Sequence, residues 1–221
     1  MTHSHSHSPA AGGLAARLRE ATGTAHTAAE RTAFVRHLFK GTLPREGYVS
    51  FLRALYPVYE ALEAGLAATT SDPAVRMAYD PALNRTVALA QDLAWFAGPE
   101  WRALPVAGPA EAYAVHLRQL AATAPAGLTA HAYVRYLGDL SGGQMMGKRV
   151  AVTYGAGDAG TNFHAFREVA DVDARKHQYR AMLTGLPLDA AQQELVVQEA
   201  IAGFDYARKI FETLDAEHPS E

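Results

Sequence analysis

The sequence predicts an all-α fold: a single domain of about eight or nine helices. Apolar residues recur at three- and four-residue intervals through nearly the whole chain, which is the period of a helix face and not of a strand. Helix-opening residues (Asp, Thr, Pro) and helix-closing ones (Gly, Pro) fall between those runs. The connections left over are short, with no internal repeat and no long linker. At 221 residues the chain suits one domain that buries roughly 70% of its unfolded surface.

The elements follow in order. Residues 1–13 read as a leader, in which His3, His5 and His7 alternate with Ser4, Ser6 and Ser8. The folded domain is expected over 14–217, with 218–221 as a tail. Leu14, Leu18, Ala21, Ala25 and Ala28 mark a first helix. Phe34 to Lys40 forms a second, closed by Gly41. Thr42 and Pro44 open a long helix with a stripe of Tyr48, Phe51, Leu52, Leu55, Val58, Tyr59 and Leu62; Pro57 lies inside it and should kink it. Asp80 and Pro81 open a helix that continues through Phe96 to Gly98. Pro109 to Ala122 is another. Gly127 to about Tyr154 reads as one long helix with an unusual middle. A short helix is expected over Phe163–Val169, then one over Asp173–Leu183. Pro187 or Asp189 starts the last helix, with Leu195, Val196, Ile201, Phe204, Ile210, Phe211 and Leu214 inward.

Composition excludes several functions. The chain has no cysteine, so disulfides, Fe–S clusters, thiolate-ligated haem and cysteine nucleophiles are out. A net charge of −3 argues against broad nucleic-acid binding. No apolar run is long enough for a membrane span, and no signal peptide or anchor pattern is present, so a cytoplasmic protein is expected.

Two nucleotide-like patterns fail on context. Gly155 to Gly160 matches GxGxxG, but no further strand exists to build a βαβ unit, so a glycine-rich turn between helices is expected. Gly142 to Arg149 approaches a phosphate loop, yet Arg149 stands where Ser or Thr would hold magnesium.

The stretch Tyr133 to Gln144 is the most informative. Gly138, Gly142, Gly143 and Gly147 fall within ten positions of a helical pattern, and each costs roughly 1 kcal/mol against alanine in a helix interior. Two readings are open: close packing or a break of the helix, or approach of its backbone to a flat ligand. Asp139 sits among these glycines, with no cation in the same turn, and either faces solvent or organises water in a pocket.

Among ten histidines, His26 has small residues on several sides. Arg19 precedes it by seven positions, within ~20° of the same azimuth and ~10.5 Å along an ideal helix. A cation and an imidazole on one stripe suit a ligand with a central metal and carboxylates at its rim; an ordinary half-exposed histidine is the plainer reading. Lys176 and Arg180 share a face with Tyr179 between them. With Arg19 and Tyr133 they could clamp two carboxylates, or simply be solvated. His37, His116, His164 and His218 sit on polar or helix-end positions, and His131 and His177 lack a ligand pattern. From Leu14 onward no HxxxH or HExxH occurs, which argues against a structural zinc site.

The run Tyr136-Leu-Gly138-Asp139-Leu-Ser-Gly142-Gly143-Gln144 resembles the signature of the haem oxygenases of the biliverdin-producing mammalian and bacterial type. Thr24-Ala-His26-Thr-Ala-Ala-Glu30 resembles the segment bearing that family's proximal ligand. Leu55 to Leu62, Gln91 to Phe96 and Lys176 to Arg180 resemble it too, so the similarity spans roughly Leu14 to Leu214. The resemblance implies a monooxygenase that uses haem b as substrate and cofactor. With O₂ and electrons from an external reductant it cleaves a meso bridge, the α edge by default, to biliverdin, carbon monoxide and Fe²⁺. The haem would lie between a proximal helix and a glycine-kinked distal helix. His26 would be the iron ligand, Glu30 would act on that side, and Gly138, Gly142 and Gly143 would form the distal wall. Asp139 would order water near the oxygen. Arg19, Tyr133, Lys176 and Arg180 would contact the propionates, and Tyr59, Arg135 and Phe204 match pocket or water-network positions. The implied partner is a ferredoxin, flavodoxin or reductase, and a monomer without nucleic acid or membrane anchor is expected. Arg19, where lysine is common, and Val134, where a polar residue is often seen, depart from the pattern.

The chemistry accounts for these residue types. A glycine wall puts no acid beside the oxygen, while a carboxylate can deliver protons through water at one remove. Propionate anchors set the in-plane rotation and so the meso edge presented. Two rivals remain at this stage: a haem carrier or gas sensor on the same fold, and a cofactor-free helical protein.

Overall fold

The computed structural model describes residues 13–219. The histidine-rich leader, but for Gly13, lies outside the described residues. Among the described residues there are nine α-helices, four short 3-10 turns and no strand. The helices are α1 (Gly13–Glu30), α2 (Ala33–Lys40), α3 (Arg45–Ala68), α4 (Pro73–Ala78), α5 (Thr86–Ala97), α6 (Gly108–Thr123), α7 (Leu128–Tyr154), α8 (Val172–Thr184) and α9 (Ala190–Glu217).

Local chemistry sets their ends. Thr32 caps α2 by accepting from the Val35 amide, and Gly41 closes it with φ 74°. Asp72 caps α4 and Asp171 caps α8. Asp189 and Gln192 form a reciprocal capping box at the start of α9. Each such cap is worth about 1 kcal/mol. α3 continues through Pro57, and α7 through all four of its glycines.

Three expectations change. The single helix expected from Asp80 is two elements: a 3-10 turn over Pro81–Leu83, then α5 from Thr86. Asn84 turns extended between them, and the buried Glu63 carboxylate of α3 accepts from the Arg85 and Thr86 amides, so α5 starts where a tertiary acceptor waits. The short helix expected over Phe163–Val169 is a series of turns. Asp92 of α5 accepts from the Asn162 and Phe163 amides, and Arg85 donates to the Ala165 carbonyl. Those tertiary bonds hold the segment out of helical register. α4 had no separate signal, because six residues carry too little periodicity.

α3 runs through the middle of the domain, packed on α5, α6 and α7. Its Tyr48, Leu52, Leu55, Tyr59, Leu62 and Leu66 are fully buried. α9 lies along α1, α7 and α6, while α1 also meets α8. The Gly155–Gly160 run is a turn, as expected: Gly155 closes α7 at φ 63°, and Gly160 packs against the Trp95 ring. No helix among the described residues is long and apolar enough to cross a membrane.

Candidate active site

The cleft forms where α1 and α7 both pack on α9. His26, Ala29 and Glu30 of α1 line one side, and Val134, Arg135, Gly138, Asp139, Gly142, Gly143 and Met146 of α7 line another. Phe204, Ala207 and Phe211 of α9, Val35, Leu38 and Phe39 of α2, Phe51 of α3 and the Phe163–His164 turn complete it. The lining is largely apolar, which suits a broad flat hydrophobic ligand.

His26 is half exposed to this space, and its ring sits edge-on to Phe204 at 5.2 Å and 89°. That contact fixes the imidazole plane. Its Nε2 lies 3.5 Å from Glu30 Oε1, one turn on.

The four glycines divide into two pairs. A Cβ at Gly138 or Gly142 would meet nothing within 4 Å, so both face open space in the cleft. A Cβ at Gly143 would come 3.2 Å from the His164 carbonyl oxygen, and one at Gly147 would come 3.1 Å from His164 Cβ. The sequence left packing and ligand approach as alternatives; in the structure Gly143 and Gly147 pack against His164, while Gly138 and Gly142, on a neighbouring stripe, face open space.

Asp139 is neither solvated nor alone. Tyr59 donates its hydroxyl to Asp139 Oδ2, Arg135 Nε donates to Tyr59 Oη at 3.1 Å, and Arg135 lies 4.0 Å from Asp139 Oδ1. Burial pushes the Asp139 carboxyl above the usual carboxylate range, against the opposing pull of Arg135 and Tyr59. The cation is one turn back, at the i−4 position, where the same-turn reading of the sequence overlooked it. Tyr59 itself stands behind Asp139 in the core and not in the cleft wall.

Arg19, Tyr133, Lys176 and Arg180 are outside the cleft lining. Arg19 and Arg180 are exposed, Tyr133 is half buried, and Lys176 pairs with the exposed Asp173 at 2.6 Å.

His164 is a cleft residue that sequence reasoning placed on an ordinary polar position. It is buried, with Nε2 3.0 Å from the Tyr48 hydroxyl, and burial pushes its pKa down to about 3, so the ring is neutral. The Gly143/Gly147 pair was the available signal, since bare positions four apart must accommodate something. Phe51, Met146 and Phe163 also line the cleft unannounced by any motif.

Comparison with known proteins gives a consistent result. The family model described as "Heme oxygenase" matches residues 12–213. The chain is similar to "Heme oxygenase 1" of Synechocystis sp., 39% identical over 203 residues that cover 91% of this chain and 85% of that protein. It is similar to human "Heme oxygenase 1", 36% identical over 205 residues covering 91% and 71%. The crystal structure of the Synechocystis protein in complex with heme superposes with a TM-score of 0.88 at 39% identity, covering 93% of each chain.

Proposed function

The chain belongs to the haem oxygenase family, and from that premise we propose that its cleft seats haem with His26 at the iron and Gly138 and Gly142 against the other face. The enzyme degrades haem as a monooxygenase, using O₂ and reductant to give biliverdin, carbon monoxide and Fe²⁺. Bound haem supplies the redox-active iron and is itself the molecule cleaved.

The observation that carries the assignment of residues is the pairing of an orientable imidazole with a bare helix face in one apolar cleft. Phe204 holds the His26 ring, and Glu30 is placed to act on it from one turn away. Gly138 and Gly142 would offer only backbone to the ligand on that side. Gly143, backed by His164, keeps α7 at a set distance from the Phe163–His164 turn.

Asp139 then serves as the proton-handling group, acting through water. Its raised pKa brings it closer to the protonation equilibrium at working pH than an exposed aspartate, and Tyr59 and Arg135 fix its orientation. Arg19, Tyr133, Lys176 and Arg180 remain our proposed propionate contacts. The Lys176–Asp173 pair supports this, because the exposed Asp173 holds the half-buried Lys176 from the solvent side, where a propionate can take its place. Electrons come, in this reading, from a ferredoxin, flavodoxin or reductase.

The test is His26→Ala. The variant should still bind haem in the apolar cleft but lose turnover and the Fe–His Raman band, with turnover returning on addition of imidazole. An unchanged Fe–His band excludes His26 as the ligand.

A further inference from the structure

Outside the cleft, three side chains from three helices converge. His116 of α6, His131 of α7 and Glu199 of α9 each present one ligand atom, all within 4.8 Å of one another. Glu199 Oε2 lies 2.6 Å from His116 Nε2 and 2.9 Å from His131 Nε2. The His131 side chain is fully buried, and its Nδ1 meets Tyr113 Oη at 2.8 Å. Gly203 makes room for this contact: a Cβ there would come 3.1 Å from His131 Nδ1 and 3.3 Å from Tyr113 Oη.

We propose that His116, His131 and Glu199 bind a divalent first-row cation of borderline softness, with zinc the best fit, at a site separate from the haem iron. Two imidazole nitrogens and one carboxylate oxygen are a donor set that zinc takes. A tetrahedral ion at about 2.0–2.1 Å from each would set the ligand atoms roughly 3.3 Å apart. Glu199 must draw back by about 0.7 Å from His116 and about 0.4 Å from His131 while the two imidazole nitrogens, within 4.8 Å of each other, close up; Glu199 and His116, 14% and 28% exposed in their side chains, have the freedom to do so. Their solvent side leaves the fourth position to water.

The surroundings are those of a ligand imidazole. With His131 Nε2 on the ion, its Nδ1–H donates to Tyr113 Oη, the outer partner that metal-bound histidines almost always have. The sequence could not show this site, because its ligands come from three helices and share no short motif.

The experiment measures Zn²⁺ binding by equilibrium dialysis to the full-length, haem-free chain carrying His3→Ala, His5→Ala and His7→Ala, which silences the leader. About one Zn²⁺ should bind per chain. Adding His116→Ala, or separately Glu199→Gln, should weaken it by at least about 100-fold, since losing a direct ligand exceeds the loss of an outer partner. His116→Ala leaves the fully buried groups in place, so it should fold, and Co²⁺ should show the visible bands of a four-coordinate ion in the parent but not in this variant. Absence of stoichiometric zinc in the parent overturns the proposal, as does binding in either variant as tight as the parent's. Displacement of the zinc by one equivalent of haem also overturns it, because that places the ion at His26.

Discussion

Gly142→Ala should stabilise the haem-free enzyme and weaken its hold on haem. The added Cβ meets no protein atom within 4 Å, so nothing opposes the helix-propensity gain of about 1 kcal/mol. For a domain of this size that raises Tm by about 2–4 °C. In the proposed complex the same methyl would stand where the haem face approaches. Overpacking of that kind costs about 1–3 kcal/mol, or about 5- to 150-fold in Kd. Gly143→Ala is the control with the opposite sign in the free protein: its Cβ would press on the His164 carbonyl at 3.2 Å, a backbone atom that cannot swing aside. Thermal unfolding without haem and Soret titration with it measure both halves. A lowered Tm for haem-free Gly142→Ala, or an unaltered haem Kd, refutes the assignment of this glycine to ligand approach.

Three further outcomes follow from the same geometry. Asp139→Ala leaves the buried Tyr59 hydroxyl without its acceptor and Arg135 without its ion-pair partner, so it should cost about 1–3 kcal/mol in urea unfolding and divert turnover to peroxidase-like oxidation; a normal biliverdin yield contradicts the proton role. His164 has a folded pKa of about 3 against about 6.5 unfolded, so the unfolded chain alone takes up its proton between those values and stability falls as pH drops through that window, by up to about 1.4 kcal/mol per pH unit. His164→Phe should remove that increment, and equal pH slopes for variant and parent contradict a neutral buried ring. Lys176→Ala with Arg180→Ala should shift the biliverdin isomer ratio by freeing the haem to rotate in plane; an unchanged ratio dismisses the clamp.

Most helices were legible because their apolar stripes and caps are local. Thr32, Gly41 and Asp189 act on amides and carbonyls within a few residues, so the sequence carries the instruction and its reader side by side. Apart from α4, too short to show a period, the misread elements lie where a distant group intervenes. Glu63 decides where α5 begins and Asp92 decides that Asn162 to Val169 stays non-helical, and neither is near its target in sequence. The site divides in the same way. His26 and the glycine run announce themselves by composition. The Tyr59–Asp139–Arg135 contact needs α3 laid against α7, and His164 enters only through a turn fixed by Arg85 and Asp92. The four glycines looked alike in sequence; only the position of His164 separates the pair that meets protein from the pair that faces open space.

The central claim is that one cleft both holds haem and breaks it. The direct measurement is a single turnover of the one-to-one haem complex with ascorbate in air, followed by absorbance and by trapping of released iron. The Soret band should decay as biliverdin absorbance rises, with Fe²⁺ captured in step. A Soret band that persists under reductant and O₂, with no biliverdin, would mean a haem carrier and would contradict the account.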